Sequence, residues 1–290
     1  MIQRFALFLF LAMLAVIMLP ADTSAQIMFI DTFDASPTLS PTQAPGVWYT
    51  DRYAPAAFEM AAFNGGNRLK HSISTADNAV NRPASYVSSF YNTQGRKFDL
   101  NNPIGTALTA DLYIGADWQT NHRRADLWAT MGDSIGGISE YPIIGFANMT
   151  GTSPTWRVWV VDAWVNIPEP TGFAYGAWYT LKIELTNTEM RYFINGQLVY
   201  SSPKGDNRTF QNVIIQAYNF GDPALADDQE VYESYDVYWD NIGATSFIKN
   251  LTQNTYHPTL QTAVDAAAAA DVIELAAGTW PMPVNTNITK

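Results

Sequence analysis

The sequence predicts an all-β protein: a two-sheet antiparallel sandwich of the jelly-roll kind over residues 26–248. Three observations carry that reading. Apolar and polar residues alternate in short runs, as in Leu108, Ala110, Leu112 and Ile114 against Thr109, Asp111 and Tyr113. Most runs are bounded by Gly, Pro or Asn, the residues that end strands. No helical period of useful length interrupts Gln26 to Ser246. Composition agrees, with 47% hydrophobic and 13% aromatic residues, enough for a packed core and rich in strand formers.

Residues 1–25 read as a secretory signal. Arg4 gives the positive start, Phe5 to Leu19 is an unbroken apolar run ended by Pro20, and Thr23-Ser24-Ala25 offers small residues for cleavage. The run is short and wrongly flanked for a membrane span. The mature chain is therefore expected outside the cytoplasm, secreted or at the cell surface of a bacterium, without membrane insertion after cleavage. It has no cysteine, so no disulfide is available and stability falls to the core or to a bound metal. Asn-x-Thr sequons at Asn148, Asn207, Asn250 and Asn287 are expected to be silent in bacterial export.

Strands are predicted at Ile27 to Phe33, Val47 to Tyr53, Leu108 to Trp118, Ala125 to Met131, Ile143 to Ala147, Thr155 to Val161, Trp178 to Leu185 and Asn212 to Phe220. The sharpest local signal is Met190 to Ser201, where Asn195-Gly196 sits between two alternating runs and suits a type I′ turn. Residues 249–257 read as a linker. Pro258 to Ala270 then has helical spacing, with Leu260, Ala263, Val264 and Ala267 on one face. An apolar strand at Val272 to Leu275 and a turn at Gly278 follow.

Two resemblances arise from these segments. The helix, strand and turn of residues 258–290 resemble the N-terminal cap of right-handed parallel β-helix proteins, which implies a capping helix and a first rung. A single rung cannot bury its apolar face, so the resemblance implies a longer parent protein. Trp178-Tyr-x-Leu-x-Ile183, Tyr192-x-Ile-Asn-Gly-x-x-Val199 and Tyr235-Asp-Val-Tyr-Trp-Asp-Asn-Ile242 are together similar to the concanavalin A-like lectin/glucanase superfamily, near its laminin-G-like members. That resemblance implies that the Asn-Gly hairpin crosses the convex sheet and that the closing strand pairs beside the first. It also implies a structural calcium held by Asp240 with Asp34 or Asp31. Gly221 to Asp240 holds seven acids and no Lys or Arg, which fits either a cation site or a solvated acidic loop.

Catalytic patterns are missing where they would be sought. Retaining glucanases of this superfamily carry Glu-x-Asp-x-x-Glu on one strand, placing two carboxyl groups about 5 Å apart. The nearest text, Glu230 to Asp236, puts Glu230 and Glu233 three apart, on opposite faces of a strand. Gly132 to Gly136 matches G-x-S-x-G, but a Gly-rich stretch and a strand follow it, so it reads as a loop. His71, His122 and His257 lack zinc spacing. His122 is expected in a solvated loop whose Arg123 and Arg124 pair with Asp117 or Asp126.

The tryptophans are the candidate ligand contacts. On the strand through Trp156, Val158 and Val160 share its face, while Arg157 and Trp159 face the other way, so one indole of the two is core. Trp159, Trp164, Arg157 and Trp118 are the candidate glycan-binding residues, with burial in the core the competing fate of each indole. A net charge of −11 counts against nucleic acid and anionic membranes, and against a polyanionic glycan unless cations bridge. Three functions fit: a non-catalytic glycan-binding or adhesion module, the targeting domain of a polysaccharide lyase or glycoside hydrolase, and a structural spacer in a surface protein.

Overall fold

A computed structural model describes residues 26–74, 93–100, 105–132, 137–149, 151–186, 188–204, 209–218, 233–246, 248–253, 255–257 and 260–274. Two large sheets dominate. The first runs, edge to edge, through Gln197–Pro203, Glu189–Ile194, Ala177–Leu185, Ala107–Ile114, Tyr235–Ser246, Gly66–Ile73 and Ala57–Phe63. The second runs through Ala163–Ile167, Thr155–Val160, Ile143–Asn148, Arg123–Trp128, Asn212–Tyr218, Thr93–Asp99, Trp48–Thr50 and Leu39–Ser40. Its last pair is parallel; the other strand pairs described within these two sheets are antiparallel.

The long strand Tyr235–Ser246 takes two partners along one edge. Tyr235 to Trp239 pairs with Gly66–Ile73, and Ile242 to Ser246 pairs with Gln26–Asp31. The exchange falls at Asn241, whose φ of 46° accompanies a register shift against Ala107–Ile114. A bulge re-aims a strand in this way. The closing strand thus lies beside the opening one, as the resemblance implied.

The alternation seen in the sequence becomes the core. Leu108, Ala110, Leu112 and Ile114 are buried in one cluster with Leu127, Ile144, Phe146, Trp156 and Val158 of the opposite sheet. Trp156 meets Phe146 edge-on at 5.2 Å and Tyr179 at 5.3 Å, an aromatic trio spanning the two sheets. Each such side chain contributes about 1.5–3 kcal/mol by leaving water, and no disulfide assists.

The Asn195-Gly196 hairpin forms as predicted, with φ of 51° and 74°. Asn195 also accepts a hydrogen bond from the Thr180 amide at 2.9 Å, tying the turn to the neighbouring strand. Asn64-Gly65 repeats the chemistry, with φ of 46° and 82°, between two strands the sequence analysis did not draw. Thr93–Asp99 and Ala163–Ile167 are likewise strands without a sequence expectation. The run predicted from Leu108 to Trp118 stops at Ile114, and Ala116–Gln119 coils into a 3-10 helix.

The C-terminal unit is small. Helix Leu260–Ala266 buries Ala263 and Val264, two of the predicted face. Strand Ile248–Asn250 pairs with Thr255–His257 and with Ile273–Glu274, both antiparallel. The segment read as a linker is therefore structured. The physical reason is Asn250, which is fully buried and accepts from the Thr252 and Gln253 amides while donating to Asp271. The Asn148 side chain is buried too, donating to the carbonyls of Trp118, Gln119 and Asn121. The signal segment, the Gly278 turn, Asp133 to Gly136, Asn207, Asn287 and Asp222 to Glu230 lie outside the described residues. Among the described residues no helix is long and apolar enough to cross a membrane.

Candidate functional site

Strand Arg123–Trp128 sends Ala125 and Leu127 into the core, so Arg124, Asp126 and Trp128 face outward from the second sheet. Register across the sheet aligns Asn166, Arg157, Gly145, Asp126, Gln216 and Gly95 in one polar row. The adjacent row on the same face is Trp164, Trp159, Ile143, Trp128 and Ile214. Polar groups beside indoles on one face suit the two sides of a sugar ring, its hydroxyls and its C–H face.

Much of the polar row is buried: Asp126 and Gln216 are 0% exposed and Arg157 is 6% exposed. Gly145 makes room for it. A Cβ there would meet Asp126 Oδ1 at 2.2 Å and the Ala125 carbonyl at 2.3 Å, so the Asp126 carboxylate lies over this glycine backbone. Arg157 follows in the register beyond it.

The charges pair unequally. Arg124 Nε donates to Asp126 Oδ2 at 2.5 Å, and Asp51 pairs with Arg52 while accepting from Gln216 Nε2 at 2.8 Å. Arg157 stacks on the Trp164 ring, its guanidinium carbon 3.9 Å from the centroid, and Arg124 lies 5.0 Å from the same centroid. The buried Nε and Nη2 of Arg157 have no hydrogen-bond partner, nor has Asp126 Oδ1. Burial pulls the Arg157 guanidinium down to about 9; Arg124 adds to this and Asp126 opposes it.

Trp128 is closed off, with the Arg52 guanidinium 5.0 Å from its ring centroid. The other end opens into a cleft of about 490 Å³ lined by Thr152, Ser153, Thr155, Asn166, Arg157 and Trp164, among others. Retaining glycoside hydrolysis needs two carboxyl groups, one delivering a proton. Asp126 and Asp51, the carboxylates placed on this face by the contacts above, are both engaged by arginine.

Comparison with known proteins speaks to the fold. No family model matches the sequence, and no curated protein matches it. Among solved structures, an endo-β-galactosidase from Clostridium perfringens that releases GlcNAcα1-4Gal aligns with TM-score 0.50 at 10% identity, over 83% of this chain and 65% of that one. A protein described with endo-acting O-glycanases of the human gut microbiota aligns with TM-score 0.49 at 15% identity, over 76% of this chain and 99% of that one. A sialidase aligns with TM-score 0.46 at 11% identity, over 77% of this chain. This chain spans 19% of the sialidase's length and 65% of the endo-β-galactosidase's. The fold is a two-sheet antiparallel sandwich of the jelly-roll kind.

Of the candidate ligand residues, Arg157 and Trp164 line the cleft, and Trp159 packs edge-on behind Trp164 at 5.2 Å. Trp118 is a correction. It is 2% exposed and packs on Phe146 and Tyr235, because the 3-10 helix folds it under the second sheet. The Arg123 and Arg124 pairings form, with Asp117 and Asp126, but both arginines lie buried on a strand rather than in a solvated loop. Arg123 also pairs with Glu233. Asn166 and Gln216 were not foreseen.

The candidate metal residues lie near the first sheet's bulge. Burial raises the Asp240 carboxyl, with Asp111 and Asp34 adding to this and Arg68 and the Asn241 amide opposing. Arg68 stands 3.0 Å from Asp240. Asp31 accepts from the Trp48 indole at 3.1 Å and the Phe33 amide at 3.0 Å. Among the described residues no three His, Cys, Asp or Glu gather closely enough to hold a metal.

Proposed function

We propose that this chain is a secreted, non-catalytic glycan-binding or adhesion module of a larger extracellular protein. The observation that carries this is the cleft where Trp164 and Arg157 meet Asn166 and the hydroxyls of Thr152, Ser153 and Thr155. Such a wall offers donors and acceptors to sugar hydroxyls beside an apolar surface. Pairing of Asp126 and Asp51 with arginines supports binding over hydrolysis. The activity of the Clostridium perfringens protein on a galactoside is in keeping with a saccharide ligand.

Two further parts belong to the proposal. The C-terminal helix and strands are the entry to a parallel β-helix. Calcium binds at Asp240 and Asp34, where a divalent ion would offset the repulsion from Asp111 and Asp34. Asp31 stays with Trp48.

A glycan array probed with the purified chain tests the binding. Retention on at least one glycan class, lost in Trp164→Ala, is the expected outcome. Failure to retain any glycan overturns the proposal.

A further inference from the structure

The charge on the cleft wall does not follow the charge of the chain. The whole protein carries −11, yet the groups around Trp164 are Arg157, Arg124 and Asp126, a local sum of +1 (two cations less one anion). Screening decides which matters. At physiological salt exposed charges beyond about 8 Å are largely screened, whereas buried ones nearby are not. A ligand in the cleft therefore meets the arginines before it meets the acidic surface.

Arg157 is the group left over. Asp126 is engaged by Arg124, and Asp51 by Arg52. Arg157 is 6% exposed, lines the cleft, and holds Nε and Nη2 with no partner. A buried cation whose neighbouring anion, Asp126, already pairs with Arg124 is costly, and an incoming anion recovers part of that cost. Stacking on Trp164 fixes the guanidinium plane and holds Arg157 in place for a ligand in the cleft. A guanidinium edge presents two parallel donors matched to a carboxylate or a sulfate.

We infer that the cleft takes a saccharide bearing an anionic substituent, a carboxylate or a sulfate, held by the Arg157 guanidinium. This rests on the glycan-binding reading above and names its ligand class. Thr152, Ser153 and Asn166 on the same wall are left for the sugar's hydroxyls.

Titration calorimetry of the purified chain with three oligosaccharides of matched length tests this: an oligogalacturonate, a sulfated galactan fragment and a neutral galacto-oligosaccharide. One of the two anionic ligands is expected to bind at least about tenfold tighter than the neutral one, and which of them does so identifies the substituent. The preference should shrink in 0.5 M NaCl, a concentration chosen at roughly three times physiological ionic strength. Arg157→Gln should abolish it without lowering the melting temperature, since Asp126 keeps its Arg124 partner, and Arg157→Lys should keep part of it. Equal binding of neutral and anionic ligands overturns the inference and leaves the glycan reading standing. Binding of none overturns both. A lowered melting temperature in Arg157→Gln with the anionic preference intact assigns the residue to structure and also overturns it.

Discussion

His71 shows how one side chain ties this fold to pH. It is fully buried against the Phe58 ring at 5.6 Å, with Nε2 3.2 Å from the Gln94 carbonyl and Nδ1 without a partner. A carbonyl only accepts, so Nε2 carries the proton and the ring is neutral. Burial drives its pKa from 6.5 down to about 3, Arg96 adding to the fall and the Gln94 bond opposing it. The folded value lies below the unfolded one, so this stabilisation is complete above pH 6.5 and is lost as pH falls towards 3. The loss approaches about 1.4 kcal/mol per pH unit at most. Urea midpoints between pH 7 and 4 should fall more steeply in the wild type than in His71→Phe; parallel curves would clear His71. Nothing in the sequence foretold this role, because an isolated histidine looks the same exposed or buried. Trp118 stayed open between ligand contact and core for a similar reason: the 3-10 helix that turns it inward leaves no apolar period.

At the level of the element, the hairpins explain what was legible. Asn195-Gly196 was read because both residues tolerate positive φ at low cost. The turn between Thr155–Val160 and Ala163–Ile167 makes the same bend with Val161 and Asp162, at φ of 48° and 62°. A β-branched residue resists that conformation, so the sequence gives no turn signal there, and strand Ala163–Ile167 went unread. Asn166 was lost with it, and so was the register that sets Trp164 against Trp159. Parity within Thr155–Val160 did set Trp156 on the face opposite Arg157 and Trp159, because alternation needs no knowledge of partners, and the structure makes the Trp156 face the buried one. Replacing the turn by Val161→Asn with Asp162→Gly should relieve the strain and raise stability by about 1 kcal/mol. Thermal unfolding of the double variant reads this directly; a lower midpoint would show that the turn is held by something other than its own backbone.

For the whole molecule, the two-layer architecture was legible and its accessory parts were not. Alternation, turn residues and the closing motif sufficed for the sandwich, whereas the metal proposal depends on how distant strands meet. Asp34 follows the first strand and Asp240 precedes the bulge in the last, and neither position advertises the other. If calcium joins them, excess chelator should lower the melting temperature by roughly 2–4 °C, the shift that about 1 kcal/mol produces in a domain of about 150–250 residues. An unchanged melting curve removes the ion from the account. The same meeting of strands has a mechanical side. Gln26 sits opposite Ser246, and five pairings run from there to Asp31 opposite Ile242. Tension applied through these two ends loads the outermost pairing first and then each in turn, like a zip, instead of shearing all of them together. Pulled from its flanks, the sandwich should open from this seam at low force, while its tryptophan-filled centre stays shut.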